Sequence, residues 1–592
     1  MKYILGISCY YHDSAACLIH GGEIIFAIQE ERLTRIKHDP SFPFFSIKEI
    51  LKKCKISLND IDAIVFYEKP FLKFERLLET YLAFAPWGMQ SFYKSMPLWI
   101  KDKLFQKRQI AKELKKIEFN FDENKIKFSE HHLSHASSAF YPSPFEEAII
   151  LTLDGVGEWS TTTISRGSKN KIEILEEINF PDSLGLLYSA FTYFLGFTVN
   201  SGEYKLMGLA PYGEPKYKDL ILNNLIYVKE DGSFKMNMDY FDYATGLKMT
   251  NKKFENLFNI KVRKKDDEIK QIHMDIAASI QNVIEEIILK ICKYIALKYS
   301  CENLCLAGGV ALNCVVNGKI LQEKLFKNIW IQPASGDAGC ALGAALIYWY
   351  NEKQNIRNVS ENTDSMKNSL LGPSYSEQEV ESVLKKISAK YEKKTYEEVI
   401  DFTTDNIING KAVGWFQGRM EFGPRALGAR SILADPRNEN MQKNLNLKIK
   451  FRESFRPFAP AILKENVNDF FETSIDSPYM LIVSCIKDKK KIDPIKNDSL
   501  MGLEKLNYKR SEIPAVTHVD YSARLQTVDD KSNKKFYDLI KNFYKKTGIG
   551  VLINTSFNVR GEPIVCTVED AYKCFLKTNL DLLIIENFIV KK

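Results

Sequence analysis

The chain lacks several features that would settle its class at once. No stretch of 18 or more apolar residues occurs in its 592 residues, so no membrane span is expected. Its 11 cysteines include no Cys-x-x-Cys pair, which argues against zinc ribbons and thioredoxin-type chemistry. An odd number of cysteines scattered through apolar segments, such as Cys17, Cys292 and Cys574, reads as reduced thiols in a cytosolic protein. No Gly-x-x-x-x-Gly-Lys-Ser/Thr occurs, so there is no Walker-type phosphate loop. Charge of one sign is scarce as well: the net +7 is dispersed, whereas nucleic-acid binding needs a clustered basic face. Met1 to Ser8 is too short an apolar run for a secretory leader and turns polar at His12 and Asp13, so a cytoplasmic location is expected.

What is present is an ordinary globular composition, 45% hydrophobic and 27% charged, over a length sufficient for several domain-sized units. Short apolar runs at Tyr3–Ser8, Ala15–Ile19 and Ile24–Ile28, with a polar loop and a His20-Gly21-Gly22 turn between them, predict a β-meander. A similar strand–polar loop–strand pattern returns at Ala148–Leu153 and Thr161–Ile164, which suggests a duplicated subdomain. Helical spacing runs from Asp275 to Leu297. Gly336 to Tyr350 reads as a loop opening a helix whose small residues allow close packing. The polar stretch 353–369 reads as a linker, dividing a first domain (1–352, its second half starting near 147) from a second (370–592). In the latter, Val413–Phe416, Ala461–Leu463 and Val551–Ile553 predict strands, and Tyr396–Ile408 and Val568–Leu576 predict helices. The polar insert near 487–497 reads as an exposed loop.

Three constellations carry chemistry. In Glu130-His131-His132-Leu133-Ser134-His135, three of the eight histidines fall within five residues, and His131 and His135 share a face of any helix formed there. A capping or core-facing histidine group is the plain alternative. Asp154 and Asp337, each in a glycine-bordered loop, could complete a metal site, and two imidazoles with two carboxylates suit iron, manganese or zinc. Glycines at 155 and 157, at 308 and 309, and at 336 and 339 let backbone N–H groups approach phosphate oxygens, although isolated glycine pairs are mostly turns. Finally, the segment Gly418 to Ser431 with Arg425, Lys450 and Arg452 near Phe455 and Phe458, and Asn554 to Asn558 describe a partly buried basic pocket for an anion. Lys450 and Arg452 would share a face on an extended segment.

On these residues the sequence resembles the bacterial O-carbamoyltransferase family, whose members act on aminoglycosides, nodulation factors and cephem antibiotics. The resemblance covers nearly the whole chain. Its most specific motifs are Tyr11-His12-Asp13-Ser14-Ala15-Ala16, the run from Glu31 to His38, the His131/His135 pair, Ser201 to Gly213, and the segment around Arg425. It implies an α/β chain with two domains. The first is a duplicated ribonuclease-H-like, Kae-like domain of the actin, sugar-kinase and heat-shock superfamily; the second is YrdC-like. It further implies that Arg425, Lys450, Arg452, Arg524, Ser556 and Asn558 hold carbamoyl phosphate and ATP, with Mg2+, and form a carbamoyl-adenylate. That adenylate would be bound by Lys37, Gly155, Gly157, Gly308, Gly309, Asn313 and Gly336. His131, His135, Asp154 and Asp337 would hold iron(II) or another divalent metal. His12 would act as general base on the hydroxyl of a small acceptor, a sugar or secondary metabolite. No nucleic acid or membrane partner is implied, and a homodimer is compatible. A tRNA threonylcarbamoylation enzyme shares both folds but needs a basic face. A hydrogenase-maturation enzyme needs Cys-x-x-Cys fingers. A non-catalytic metal- or nucleotide-binding regulator needs no phosphate pocket.

Overall fold

The computed structural model describes residues 2–592 apart from 102, 361–362, 494–495 and 497–498, so parts of the expected linker and polar insert lie outside the described residues. Two compact units emerge. One comprises Met1–Glu30 and Pro40–Ser365; the other comprises Glu31–Asp39 and Met366–Lys592.

The first unit contains two five-stranded sheets of one design. Strands β1 (Tyr3–Ser8), β2 (Ala15–His20), β3 (Glu23–Gln29), β4 (Ile61–Phe66) and β5 (Ile126–Phe128) lie in the order β3-β2-β1-β4-β5. Strands β6 (Glu147–Leu153), β7 (Ser160–Ser168) and β8 (Lys171–Asn179) belong to the second sheet. A two-stranded hairpin follows, β9 (Ile226–Val228) with β10 (Phe234–Met236). Strands β11 (Asn303–Ala307) and β12 (Asn328–Ile331) complete the second sheet in the order β8-β7-β6-β11-β12. In each sheet the first three strands pair antiparallel and the last two add in parallel. The duplication seen in the sequence is therefore a repeat of topology. Strand β1 is buried along nearly its whole length, as a central strand covered on both faces must be.

The small-residue helix, Asp337–Ile347, is buried throughout. A side-chain carbon on Gly6 would stand 1.7 Å from the carbonyl oxygen of Ala341, and one on Gly343 would stand 1.7 Å from that of Ser134. These two glycines let the helix press against β1 on one side and the His131–Phe140 helix on the other. That approach sets the position of Asp337. The helix expected over 275–297 spans Gln271–Tyr299.

The second unit is a nine-stranded sheet of β13 (Lys390–Lys393), β14 (Val413–Phe416), β15 (Arg430–Ala434), β16 (Ala459–Leu463), β17 (Ile482–Cys485), β18 (Ser522–Val528), β19 (Val551–Ser556), β20 (Leu582–Ile585) and β21 (Phe588–Lys591). Their order is β13-β21-β20-β14-β15-β19-β16-β18-β17. On one face Val413, Leu433, Ala461 and Leu552 pack under the helices Tyr396–Ile408 and Lys534–Thr547. On the other, Ile432, Ile462, Leu525 and Ile553 pack under Glu377–Lys386 and Val568–Lys577.

The run Glu31–Asp39, assigned by its sequence position to the first domain, groups with this second unit. The Arg32 guanidinium donates to the Gly423 carbonyl at 2.8 Å. Arg35 donates to the carbonyls of Ile564 (2.6 Å) and Pro563 (2.8 Å) and lies 3.6 Å from Asp570.

Candidate active site

In the first unit the chemistry gathers beyond the carboxyl ends of strands. The His131–Phe140 helix begins three residues after β5, Asp154 follows β6 directly, and Asp337 opens its helix after β12. Nε2 of His131 lies 3.2 Å from an oxygen of Asp154 and 3.9 Å from one of Asp337. Nε2 of His135 lies 3.9 and 3.7 Å from the same two oxygens. Ligand atoms around one ion with bonds of about 2.0–2.2 Å sit about 3.0–3.5 Å apart, so this set needs little contraction to share a cation. Three of the four are almost fully buried and Asp154 is nearly so. Neither ring nitrogen of His135, nor Nδ1 of His131, nor Oδ2 of Asp337 has a hydrogen-bond partner. Buried polar atoms without partners cost about 1–3 kcal/mol each, and a cation held among the converging atoms would satisfy the one orphan that faces it, Nε2 of His135. The residues present therefore fit a divalent metal ion.

Their electrostatics agree. Burial pushes His131 down, but its hydrogen bond to Asp154 and the charges of Asp337 and Asp154 outweigh burial and lift it to about 9. Burial works to raise Asp154, yet the surrounding imidazoles hold it well below the ordinary carboxylate range. His132 differs. Burial and its two histidine neighbours push it well below 6.5, and its Nδ1 lies 3.2 Å from the Thr163 hydroxyl, so it is a neutral packing residue.

The helix start is held by Glu158, whose carboxylate accepts from the His131 backbone N–H (3.0 Å) and the Lys69 N–H (2.7 Å). Gly308 takes a left-handed φ of +86°, where a side-chain carbon would stand 2.1 Å from the Leu153 carbonyl oxygen. That approach lets the Gly309 N–H donate to Asp154 at 3.1 Å. Gly157 packs its Cα against His131 and His132, while around Gly336 the space is open. Asn313, expected beside the adenylate, is occupied. Its side chain caps the Cys314–Gln322 helix and exchanges two hydrogen bonds with Gln281, at 3.1 and 3.2 Å. It shapes the loop.

His12 sits with Nδ1 3.0 Å from Asp13 and Nε2 3.7 Å from Asp337. Burial lowers its pKa, but Asp337 and the Asp13 hydrogen bond raise it overall to about 9. Asp13 as acceptor fixes the proton on Nδ1 and turns Nε2 toward the centre.

Sequence reasoning missed Cys340, whose sulfur lies within 4.8 Å of the ligand atoms of His131, His135 and Asp337. Its position three residues after Asp337 in a helix was the available signal. Burial and Asp337 raise its pKa well above the usual range.

In the second unit the apolar face under Lys534–Thr547 gives way along the strands to Gln526 and Asn554, which bond each other (2.6 Å) and the carbonyls of Leu427 and Ala426. Arg524 lies two residues before Gln526, toward the end of the sheet where β19 closes at Ser556, and the bonds of Gln526 and Asn554 to Leu427 and Ala426 bring the loop carrying Arg425 to the same end. There Lys450 is buried, with Nζ donating to the Asn558 side chain at 2.8 Å, the Asn558 carbonyl at 3.1 Å, the Ser556 hydroxyl at 3.2 Å and the Ser556 carbonyl.

The expectation that Lys450 and Arg452 share a face of an extended segment is corrected. Lys450 ends a helical turn, Leu445–Lys450, and Phe451 is left-handed at φ +50°. The two side chains diverge, and Arg452 donates to Asn446 (2.6 Å) and lies over Phe458. Burial, then the charges of Arg452, Arg456 and Lys37, hold Lys450 well below the usual lysine range. Lys37 thus acts electrostatically within the second unit, in the Glu31–Asp39 run.

The other arginines of the glycine-rich segment are structural. Arg430 is fully buried, donates to the carbonyls of Gln417, Ala429, Pro373 and Gly418, and lies over Phe416. Arg419 is spent on the carbonyls of Gly372 and Leu371.

No helix among the described residues is long and apolar enough to cross a membrane. Residues 3–346 match the family model described as carbamoyltransferase N-terminus, and residues 404–592 match that described as carbamoyltransferase C-terminus. The nodulation protein NolNO of Sinorhizobium fredii is 37% identical over 590 residues, covering 98% of this chain and 79% of that protein. An uncharacterized protein of Synechocystis sp. is 56% identical and spans 100% of this chain and 97% of its own. The 3'-hydroxymethylcephem-O-carbamoyltransferase of Amycolatopsis lactamdurans is 31% identical over 273 residues, 45% of this chain and 44% of that protein. With both halves matched and the nodulation relative aligned over 98% of this chain, the chain belongs to the carbamoyltransferase family.

Proposed function

We propose that this enzyme is an ATP-dependent O-carbamoyltransferase working through two chemically distinct centres. In the second unit, read as YrdC-like, the end of the sheet bearing Arg425, Lys450, Arg452, Arg524, Ser556 and Asn558 binds carbamoyl phosphate and ATP. Water hydrolyses carbamoyl phosphate, its oxygen replacing the broken bond between the carbamoyl and phosphate groups, to give carbamate, phosphate and a proton. The carbamate oxygen then attacks the α-phosphorus of ATP, giving carbamoyl-adenylate and pyrophosphate. Guanidinium forks and a buried ammonium are the donors such phosphates need.

In the first unit, read as Kae-like, the adenylate is consumed. In its neutral form, with the proton on Nδ1, His12 accepts the proton of the acceptor hydroxyl through Nε2, the hydroxyl oxygen bonds the carbamoyl carbon, and AMP leaves. Open space at Gly336 and the N–H of Gly309 suit a phosphate and its ribose. His131, His135, Asp154 and Asp337 hold the metal, iron(II) in this reading, which supplies positive charge for the adenylate phosphate.

The observation that carries the reading is the convergence of these four buried side chains, both ring nitrogens of His135 unsatisfied, in a chain of this family. The test separates the half-reactions. Carbamoyl phosphate should drive exchange of labelled pyrophosphate into ATP. Arg524→Ala should abolish that exchange. His131→Ala should keep it while losing metal and acceptor carbamoylation. Both variants failing at the same half-reaction, or exchange driven by threonine and bicarbonate instead, would overturn the proposal.

A further inference from the structure

Beside the first centre, a buried guanidinium stands without a carboxylate partner among the described residues. The helix Pro70–Ala83 lays two buried basic residues, Lys73 and Arg76, against the site. Lys73 is neutralised by Glu68, at 2.6 Å. Arg76 has no carboxylate within 4 Å among the described residues. Its guanidinium donates to one acceptor there, the Gly157 carbonyl (2.6 Å), and lies 5.3 Å from the centre of the Phe180 ring. It is 8% exposed. Glu158, the other nearby carboxylate, is occupied by the N–H groups of His131 and Lys69. A guanidinium has five N–H donors, and burying it with a single carbonyl partner is costly. Burial indeed lowers its pKa.

The place is informative. Gly157, which Arg76 holds, packs on His131 and His132. On the other side, Lys73 Nζ lies 5.1 Å over the ring of Tyr11, and that ring is 4.6 Å from His12. Tyr11 is half exposed and presents an aromatic face. Lys73 and Tyr11 thus reach the imidazole that faces the acceptor hydroxyl, and of the adenylate-type glycines only Gly157 is touched by Arg76, through its carbonyl. Resting on the two-site reading above, we propose that Arg76, supported by Lys73, is a specificity-determining subsite for an anionic group, a carboxylate or phosphate, carried by the hydroxyl acceptor. The acceptor class is then an acidic sugar or sugar phosphate, its ring lying along Tyr11.

Equilibrium dialysis on the full metal-loaded chain tests this with labelled glucuronate, glucose 6-phosphate and glucose. At least one of the two anions should bind about tenfold or more tighter than glucose, the value of one charge-assisted hydrogen bond. Arg76→Gln should erase the difference at unchanged metal content, Arg76→Lys should restore part of it, and the preference should persist in Lys450→Ala. Should Arg76→Gln fail to fold, Arg76→Lys and Lys73→Gln read the same preference. Equal binding of charged and neutral sugars overturns the inference. So does a preference lost in Lys450→Ala, which would put the anion in the second unit. So does a weakening of AMP binding by Arg76→Gln equal to that of the sugar acid, which would give the arginine to the donor phosphate. These are binding readouts, so they stand apart from the exchange assay, where failure of the two-site reading would appear.

Discussion

The two units gather charge in opposite ways. In the first, two carboxylates meet two imidazoles with unsatisfied nitrogens, an arrangement completed by a cation. In the second, a buried lysine with Arg452, Arg456 and Lys37 nearby donates to the neutral oxygens of Ser556 and Asn558, an arrangement completed by an anion. Each is electrostatically unfinished, with the opposite sign. On the proposed reading, this opposition of sign lets one polypeptide run a phosphate-activating step and a group-transfer step without one centre competing for the other's ligand.

The sharpest way to break this contrast is at His135, whose ring makes no protein hydrogen bond. His135→Ala should strip the metal and lower acceptor carbamoylation by about 10²-fold or more, with pyrophosphate exchange within twofold of the parent. Metal analysis and the exchange assay check this, and a matching fall in exchange would merge the two centres into one.

Next comes Lys450. Lys450→Met should lower exchange by about 10²-fold, the scale of losing one preorganised charge, and leave metal content unchanged. It also reads stability. The folded pKa lies well below the value of about 10.4 in the unfolded chain. Between the two, the unfolded state holds a proton that the folded state has released. Stability from this group is lowest below that window and rises with pH through it. Urea unfolding across the window should show that rise in the parent and its loss in Lys450→Met. Phosphate binding should take up a proton, visible as a buffer-dependent binding enthalpy.

The smallest effect is expected at Cys340. Burial and Asp337 keep it protonated, so it packs as a small apolar group. Cys340→Ala should leave metal content within twofold. A sulfur-to-metal absorption band in the cobalt(II) form, absent from the variant, would instead add the thiol to the centre.

Much of the frame was legible in the sequence because local patterns dictated it. Tyr3–Ser8 and Val413–Phe416 are apolar runs bounded by polar turns, and they form strands with those limits. The spacing of His131 and His135 fixes a shared helical face wherever a helix forms. What local pattern does not encode is tertiary approach. Nothing in the order of residues says that Gly6 and Gly343 admit the Asp337 helix, or that Arg76, some 80 residues before Gly157, will bond its carbonyl. The divergence of Lys450 and Arg452 turns on one left-handed residue, Phe451, a conformation its side chain does not favour and its sequence does not announce.

The run Glu31–Asp39 makes the second unit discontinuous in the gene. A fragment cut at the inter-unit stretch and expressed as 366–592 would be missing nine residues of itself, and the carbonyls of Gly423, Pro563 and Ile564 would lose their arginine donors. Attempts to graft this half onto other transferases should carry the nonapeptide along, either supplied in trans or spliced ahead of residue 366.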